Sequence, residues 1–193
     1  MALFTADYLF RKAQASSPYV TESCVRNFSV GSLVNARRSV ISSQTFDIFL
    51  SHSSEDAILI KALRDELVEA GFSTYVDWID DPNLDRAHVT KATAETLRQR
   101  MAQCRSLLFA TSEAASNSLW MPWELGYMDA LKDERVAIVP IVDVADNDQF
   151  SGQEYLSLYP YLDKTHSTLY VHSAPSLWVT LEQWLQGSDP VRH

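Results

Sequence analysis

The sequence predicts an α/β fold, a flavodoxin-like, doubly wound domain on a five-stranded parallel sheet. Three observations carry this. From Phe46 onward, short apolar runs alternate with amphipathic stretches of helical period. The runs are nearly continuous, as in Phe46-Asp47-Ile48-Phe49-Leu50 and Val136-Ala137-Ile138-Val139-Pro140-Ile141-Val142, which suits strands covered on both faces. Capping and turn residues fall between the runs, where strand–helix connections need them.

Each element follows in order. Residues 46–51 read as a first buried strand. Ser53 or Ser54 can cap a helix in which Ile60, Leu63 and Leu67 recur at helical spacing, and Gly71 stands where that helix ends. Phe72–Val76 is a second strand. A loop from Asp77 to Thr90 carries Asp77, Asp80, Asp81 and Asp85, and exposes Trp78, Ile79 and Leu84. Its length is at the upper edge for a connection without a task of its own. Thr90 can cap the next helix, with Ala94, Leu97 and Met101 inward. Arg105–Ala110 is a third strand. A Ser/Asn-rich turn at 112–118 leads to a helix near Trp120, and Pro122 fixes its first turn because proline is tolerated only there. Residues 135–142 form the fourth strand. Residues 143–167 show no clean period and read as irregular or a short helix. Thr168–His172 is the fifth strand, and Pro175 opens a last helix with Leu177, Trp178, Leu181, Trp184 and Leu185 inward, closed by Gly187.

Residues 1–45 stand outside this alternation. Asp7–Ala15 can form a short helix, and the rest is Ser-rich and expected to be partly disordered. The domains expected are therefore an extension over 1–45, a folded body over 46–187 and a tail over 188–193.

In the usual strand order of this fold, ligands bind outside the carboxyl ends of the strands, where strands one and three flank the switch point. That places Ser51, His52, Thr111 and Ser112 at a cleft, and Glu124 follows strand three closely enough to reach it. Trp120 and Met128 lie four residues either side of Glu124 and share its helix face. A single carboxylate beside indoles in a half-apolar cleft suits the breaking of a ribosyl bond. From the residues alone, Glu124 reads equally well as a first-turn acid on an amphipathic helix. His52 reads as a polar strand end, Phe49 as core and Asp77 as a turn cap.

Composition narrows the function. Residues 1–45 carry five basic and two acidic side chains, and residues 46–193 carry eleven basic and twenty-three acidic. So acidic a body argues against a nucleic-acid partner. The five glycines form neither GxGxxG nor GxxxxGK, and no GxSxG elbow exists. The five histidines lack metal-ligand spacing, so no metal is expected. Two cysteines make neither a disulfide framework nor a zinc signature and fit a reducing, cytoplasmic location. No apolar run has the length of a spanning helix and no secretory signal is visible, so no membrane partner is expected.

Together these segments resemble a TIR (Toll/interleukin-1 receptor) domain over about residues 45–186. Phe46–His52 looks like the family's first strand. Phe72–Asp77 looks like its second strand, ending in the Asp that opens the BB loop. Trp120–Glu124 matches the W-x-x-x-E spacing of NAD-consuming members, and Val136–Asp143 matches the I-V-P-I strand. Asp77-Trp78, Leu84-Asp85-Arg86 and Trp123–Tyr127 are similar to stand-alone bacterial members of antiphage defence, including the Thoeris type.

The resemblance implies an NAD-cleaving enzyme with NAD as substrate and no cofactor. Glu124 would be the catalytic carboxylate. Phe49, Ser51, His52, Asp77, Ser112 and Trp120 would form the substrate site, with Asp77 and its loop as a gate. His52 stands where the family often has Tyr. The resemblance further implies self-association through TIR–TIR contacts and a downstream effector that senses the product. Two other readings remain at this level: a non-enzymatic TIR scaffold, and an enzyme like the nucleoside deoxyribosyltransferases.

Overall fold

The computed structural model describes residues 4–16, 44–84, 90–112, 118–132, 135–142 and 154–192. Arg86, most of the Ser/Asn-rich turn, most of the extension and residues 143–153 lie outside the described residues. The chain opens with a short strand β1 (Phe4–Thr5) and helix α1 (Ala6–Ser16). It then runs through β2 (Phe46–Ser51), a 3₁₀ turn (Ser54–Asp56), α2 (Ala57–Glu69), β3 (Thr74–Tyr75), α3 (Asp77–Asp80), α4 (Lys91–Gln103) and β4 (Cys104–Thr111). After these come α5 (Trp120–Leu131), β5 (Val136–Val142), a second 3₁₀ segment (Glu154–Leu158), β6 (Tyr161–Thr165), β7 (Thr168–Ala174), β8 (Leu177–Thr180), α6 (Leu181–Leu185) and β9 (Val191–Arg192).

The sheet runs β3-β2-β4-β5-β6-β7-β8-β9, with β1 added beside β5. Pairing is parallel from β3 through β6, and β6, β7, β8 and β9 are antiparallel. The first strand of the doubly wound part, β2, therefore sits inside the sheet between β3 and β4. The helices cover both faces. One core gathers Leu9 of α1, Ile60, Leu63 and Leu67 of α2, and Leu181 and Trp184 of α6 over Ile48, Leu50, Leu108 and Val139. The other gathers Leu97 and Met101 of α4, and Trp120, Met121, Leu125 and Met128 of α5, over Phe49, Leu107, Phe109 and Ile138. The alternating side chains of each strand feed the two cores in turn.

The caps lie where the sequence places them. Ser53 Oγ accepts from the Glu55 N–H, Thr90 Oγ1 accepts from the Thr93 N–H, and Gly71 (φ +97°) and Gly187 (φ +104°) end α2 and α6 in the left-handed region.

Four expectations are corrected. The fifth parallel strand is Tyr161–Thr165, and 168–174 returns antiparallel to it. Residues 177–180 are a strand rather than the start of the last helix, which begins only at Leu181, where Thr180 and Gln183 form a capping box. Residues 4–16 of the extension belong to the body: Phe4 pairs with Ile141, Thr5 pairs with Val142, and α1 packs on α2. Trp78 and Ile79 are half-buried against one core and Leu84 against the other, so these side chains do not stand in solvent. In addition, Val191–Arg192 of the tail pairs with β8.

Pro140 limits the pairing of β5 with β6. The Ile138 N–H donates to the Pro160 carbonyl, so that edge of β5 faces β6. Pro140, two residues on, faces the same edge and has no N–H to give. The pairing with β6 is Ile138↔Tyr161, and β1 pairs with β5 at Ile141 and Val142.

Candidate active site

Ser51 ends β2, and its neighbour β4 carries Thr111 and then Ser112 beyond Phe109, the partner of Ser51. These strand ends flank the switch point, since β2 runs on to β3 on one side and lies against β4 on the other. Helix α5 delivers Glu124 to this place. Trp120, Glu124 and Met128 share its inward face and are all buried, while Pro122 is exposed in the first turn. Glu124 lies one turn into the helix and is 0% exposed, so it is not a solvent-facing first-turn acid. The Ser51 hydroxyl donates to Glu124 Oε2 at 2.6 Å, the length of a charge-assisted O–H···O⁻ bond. This contact joins two segments 73 residues apart in the chain.

Three further sequence-derived residues gather at the same strand ends. His52 Nδ1 lies 2.8 Å from the Leu50 carbonyl, and Nε2 lies 3.4 Å from Asp77 Oδ1. Both His52 and Asp77 are 2% exposed. Asp77 opens α3 and also accepts from the Trp78 N–H. The Ser112 hydroxyl donates to Asp56 Oδ2, linking the end of β4 to the turn before α2. Burial pushes the Asp56 carboxyl up, against the pull of Ser112 and the His52 ring.

The aromatic residues form the apolar side. Phe49 stacks on Tyr75 with ring centroids 5.3 Å apart, and Trp120 meets Trp123 edge to face at 5.5 Å. Trp123 in turn stacks on Tyr127, with the Arg98 guanidinium over its ring.

Sequence reasoning missed Asp56, Tyr75 and Arg100. Tyr75 donates its hydroxyl to Asp81, which the Arg100 guanidinium grips at 2.6 and 2.9 Å. Burial, with the Asp81 and Asp77 carboxylates nearby, holds the Tyr75 hydroxyl firmly protonated. The signal available was Tyr75 beside the acidic run 77–81, two opposed tendencies that only a tertiary partner reconciles. For Asp56, the Ser53–Asp56 run reads as a helix start and gives no hint of Ser112.

Among the described residues no group of His, Cys, Asp and Glu is arranged to hold a metal ion, and no helix is long and apolar enough to cross a membrane.

With this geometry in place, the chain belongs to the TIR domain family: the family's model matches residues 48–170. A Bacillus cereus (strain MSX-D12) protein, named a probable 3' cyclic ADP-D-ribose synthase, ThsB', is 41% identical over 96% of this chain and 99% of its own length. A Cytobacillus dafuensis protein, named "Putative cyclic ADP-D-ribose synthase TIR2", is 31% identical over 44% of this chain and 22% of its own length. The TIR domains of the activated Roq1 resistosome, which directly recognises the pathogen effector XopQ, are 26% identical over 50% of this chain and 56% of that one, with a TM-score of 0.36.

Proposed function

We propose that this chain cleaves NAD at the nicotinamide–ribose bond and closes the ADP-ribose into a cyclic signal in antiphage defence. The carrying observation is the Ser51–Glu124 contact at the switch point of the sheet. The relative that aligns over nearly the full length of both chains, named for cyclic ADP-D-ribose synthesis, supports the product class.

The chemistry asks little of the protein. The C–N bond breaks with its electron pair going to nicotinamide, which leaves neutral because it was cationic in NAD. No general acid is needed, unlike in two-carboxylate glycosidases. Positive charge builds on the ribose, and one ionised carboxylate beside it, in a cleft poor in water, stabilises that charge. Glu124 supplies the carboxylate, and the Ser51 hydroxyl fixes the oxygen it bonds. Phe49 and Trp120 supply apolar walls at the same strand ends. An oxygen or nitrogen of the same molecule then attacks the ribose carbon and loses its proton, which closes the ring; water in its place gives linear ADP-ribose.

Glu124 is fully covered, so substrate reaches it only when the side chains over it move. We place the enzyme in the cytoplasm, acting through copies of itself and through an effector that senses the product. The test is incubation with NAD and mass spectrometry of the products. Nicotinamide release with a product lighter than ADP-ribose by one water supports the reading. No nicotinamide release at any protein concentration overturns it.

A further inference from the structure

His52 turns both ring nitrogens toward protein oxygens, Nδ1 toward the Leu50 carbonyl and Nε2 toward Asp77. A carbonyl can only accept, so the 2.8 Å contact with Leu50 puts a hydrogen on Nδ1. In a neutral ring, Nε2 would then present a lone pair to Asp77 Oδ1, 3.4 Å away. Two acceptors would face each other with both residues closed from water, which is a costly arrangement. A hydrogen between them resolves it.

We propose that His52 and Asp77 share a proton and together form a positioning clamp for the Glu124 carboxylate. The clamp fastens the first residue of α3 to the end of β2, next to the peptide of Ser51, whose hydroxyl holds Glu124. It rests on the NAD-cleaving reading and deepens it, assigning His52 a role other than contact with substrate. Among the described residues, the charged groups facing the ring from the packed elements are Asp77 of α3 and Asp56 of the 3₁₀ turn. Glu124 of α5 stands one residue away, through Ser51. Without a hydrogen between them the Nε2–Oδ1 contact is repulsive. Asp77 then loses one of its partners, Ser51 loses its brace, and NAD cleavage falls.

Two variants separate the arms of the clamp. His52→Gln places an amide nitrogen near the site of Nε2 and donates to Asp77. His52→Asn places one near Nδ1, keeps the Leu50 bond and drops Asp77. We expect His52→Gln to keep kcat within about threefold of wild type, because it retains a donor toward Asp77. We expect His52→Asn to lose about tenfold in kcat at every pH with KM nearly unchanged, the scale of one buried hydrogen bond to a charge. A tenfold loss of kcat in His52→Gln, or wild-type kcat in His52→Asn, overturns the clamp.

A second measurement needs no substrate. In protein labelled with nitrogen-15 histidine, Nε2 of His52 should show a bound or hydrogen-bonded proton at neutral pH, and Asp77→Asn should change that signal. A bare, unbonded Nε2 overturns the proposal whatever the activity. A wild-type chain that releases no nicotinamide while showing the protonated Nε2 overturns only the enzymatic reading.

Discussion

Replacing Glu124 by Gln exchanges one oxygen for an amide nitrogen and removes a charge that the fold encloses. The Ser51 hydroxyl still has an oxygen to donate to, and a buried amide is cheaper to hold than a buried carboxylate. We therefore expect nicotinamide release to fall about a hundredfold or more, the scale of removing one preorganised electrostatic group, with no loss of melting temperature. A variant that melts normally and releases nicotinamide at the wild-type rate removes Glu124 from the mechanism. Ser51→Ala tests the other half of the contact. It leaves the carboxylate in place without this donor, so we expect kcat to fall about tenfold while the protein stays folded, since one hydrogen bond to a charge is at stake. Unchanged kcat would make the Ser51 contact structural only. At this scale much was legible. Glu124, Trp120 and Met128 share a face because helix geometry requires it, and all three are buried. What stayed hidden was the depth of Glu124 and its partner, because Ser51 lies on a strand 73 residues away and no local pattern encodes that contact.

The N-terminal helix shows how elements find partners that sequence cannot name. Its extent over Ala6–Ser16 is close to what the pattern predicts, but its docking depends on α2 and β6. Glu66 of α2 accepts from the Tyr8 hydroxyl of α1 and from Lys164 of β6, and Lys12 of α1 lies 3.0 Å from the same carboxylate. Burial pushes the Glu66 carboxyl up, but Lys164, Tyr8 and Lys12 together pull it down to about 2, below its ordinary 4.5. A carboxyl whose folded value is depressed stabilises the fold above its unfolded value and loses that contribution as pH falls through the folded one. Wild-type stability should thus decline between about pH 4.5 and 2, and Glu66→Gln should be less stable at neutral pH and flatter across that window. Urea titrations at several pH values read this directly, and parallel pH curves for the two proteins would mean the network is not coupled to folding. Leu9, fully buried on the same helix, should cost about 2–5 kcal/mol when cut to Ala, and an unchanged urea midpoint would show α1 undocked in solution. The misread elements have local causes. In Tyr161–Thr165 the acidic residue Asp163 is fully buried and Lys164 faces Glu66, so no apolar run announces a strand. The turn that follows uses His166 at positive φ (57°) where a glycine or asparagine would have signalled a hairpin. Leu177, Trp178 and Leu181 have helical spacing, but pairing with β7 overrides it.

For the whole molecule, charge and closure act together. The chain carries a net charge of −9, so two copies repel at long range. Glu124 is closed to solvent, so a single copy in this state is poorly disposed to act. Leu119 and Leu131, at the two ends of α5, stand 82% and 43% exposed, apolar groups flanking the helix that carries the carboxylate. If association shifts the population toward an open cleft, activity must follow the assembled fraction rather than total protein. Specific activity should then rise with protein concentration. It should also rise with salt at fixed concentration, because at about 0.1 M the Debye length shrinks to about 10 Å and the mutual repulsion of acidic bodies is screened. A charged substrate steered by the protein's field would respond in its KM alone, whereas assembly also moves kcat and the scattering mass. The measurement is initial nicotinamide release over a wide range of protein concentration, at two salt levels, with light scattering on the same samples. Rates strictly proportional to concentration, with a monomer throughout, would mean that the covering side chains open within one copy and that its acidic surface serves solubility.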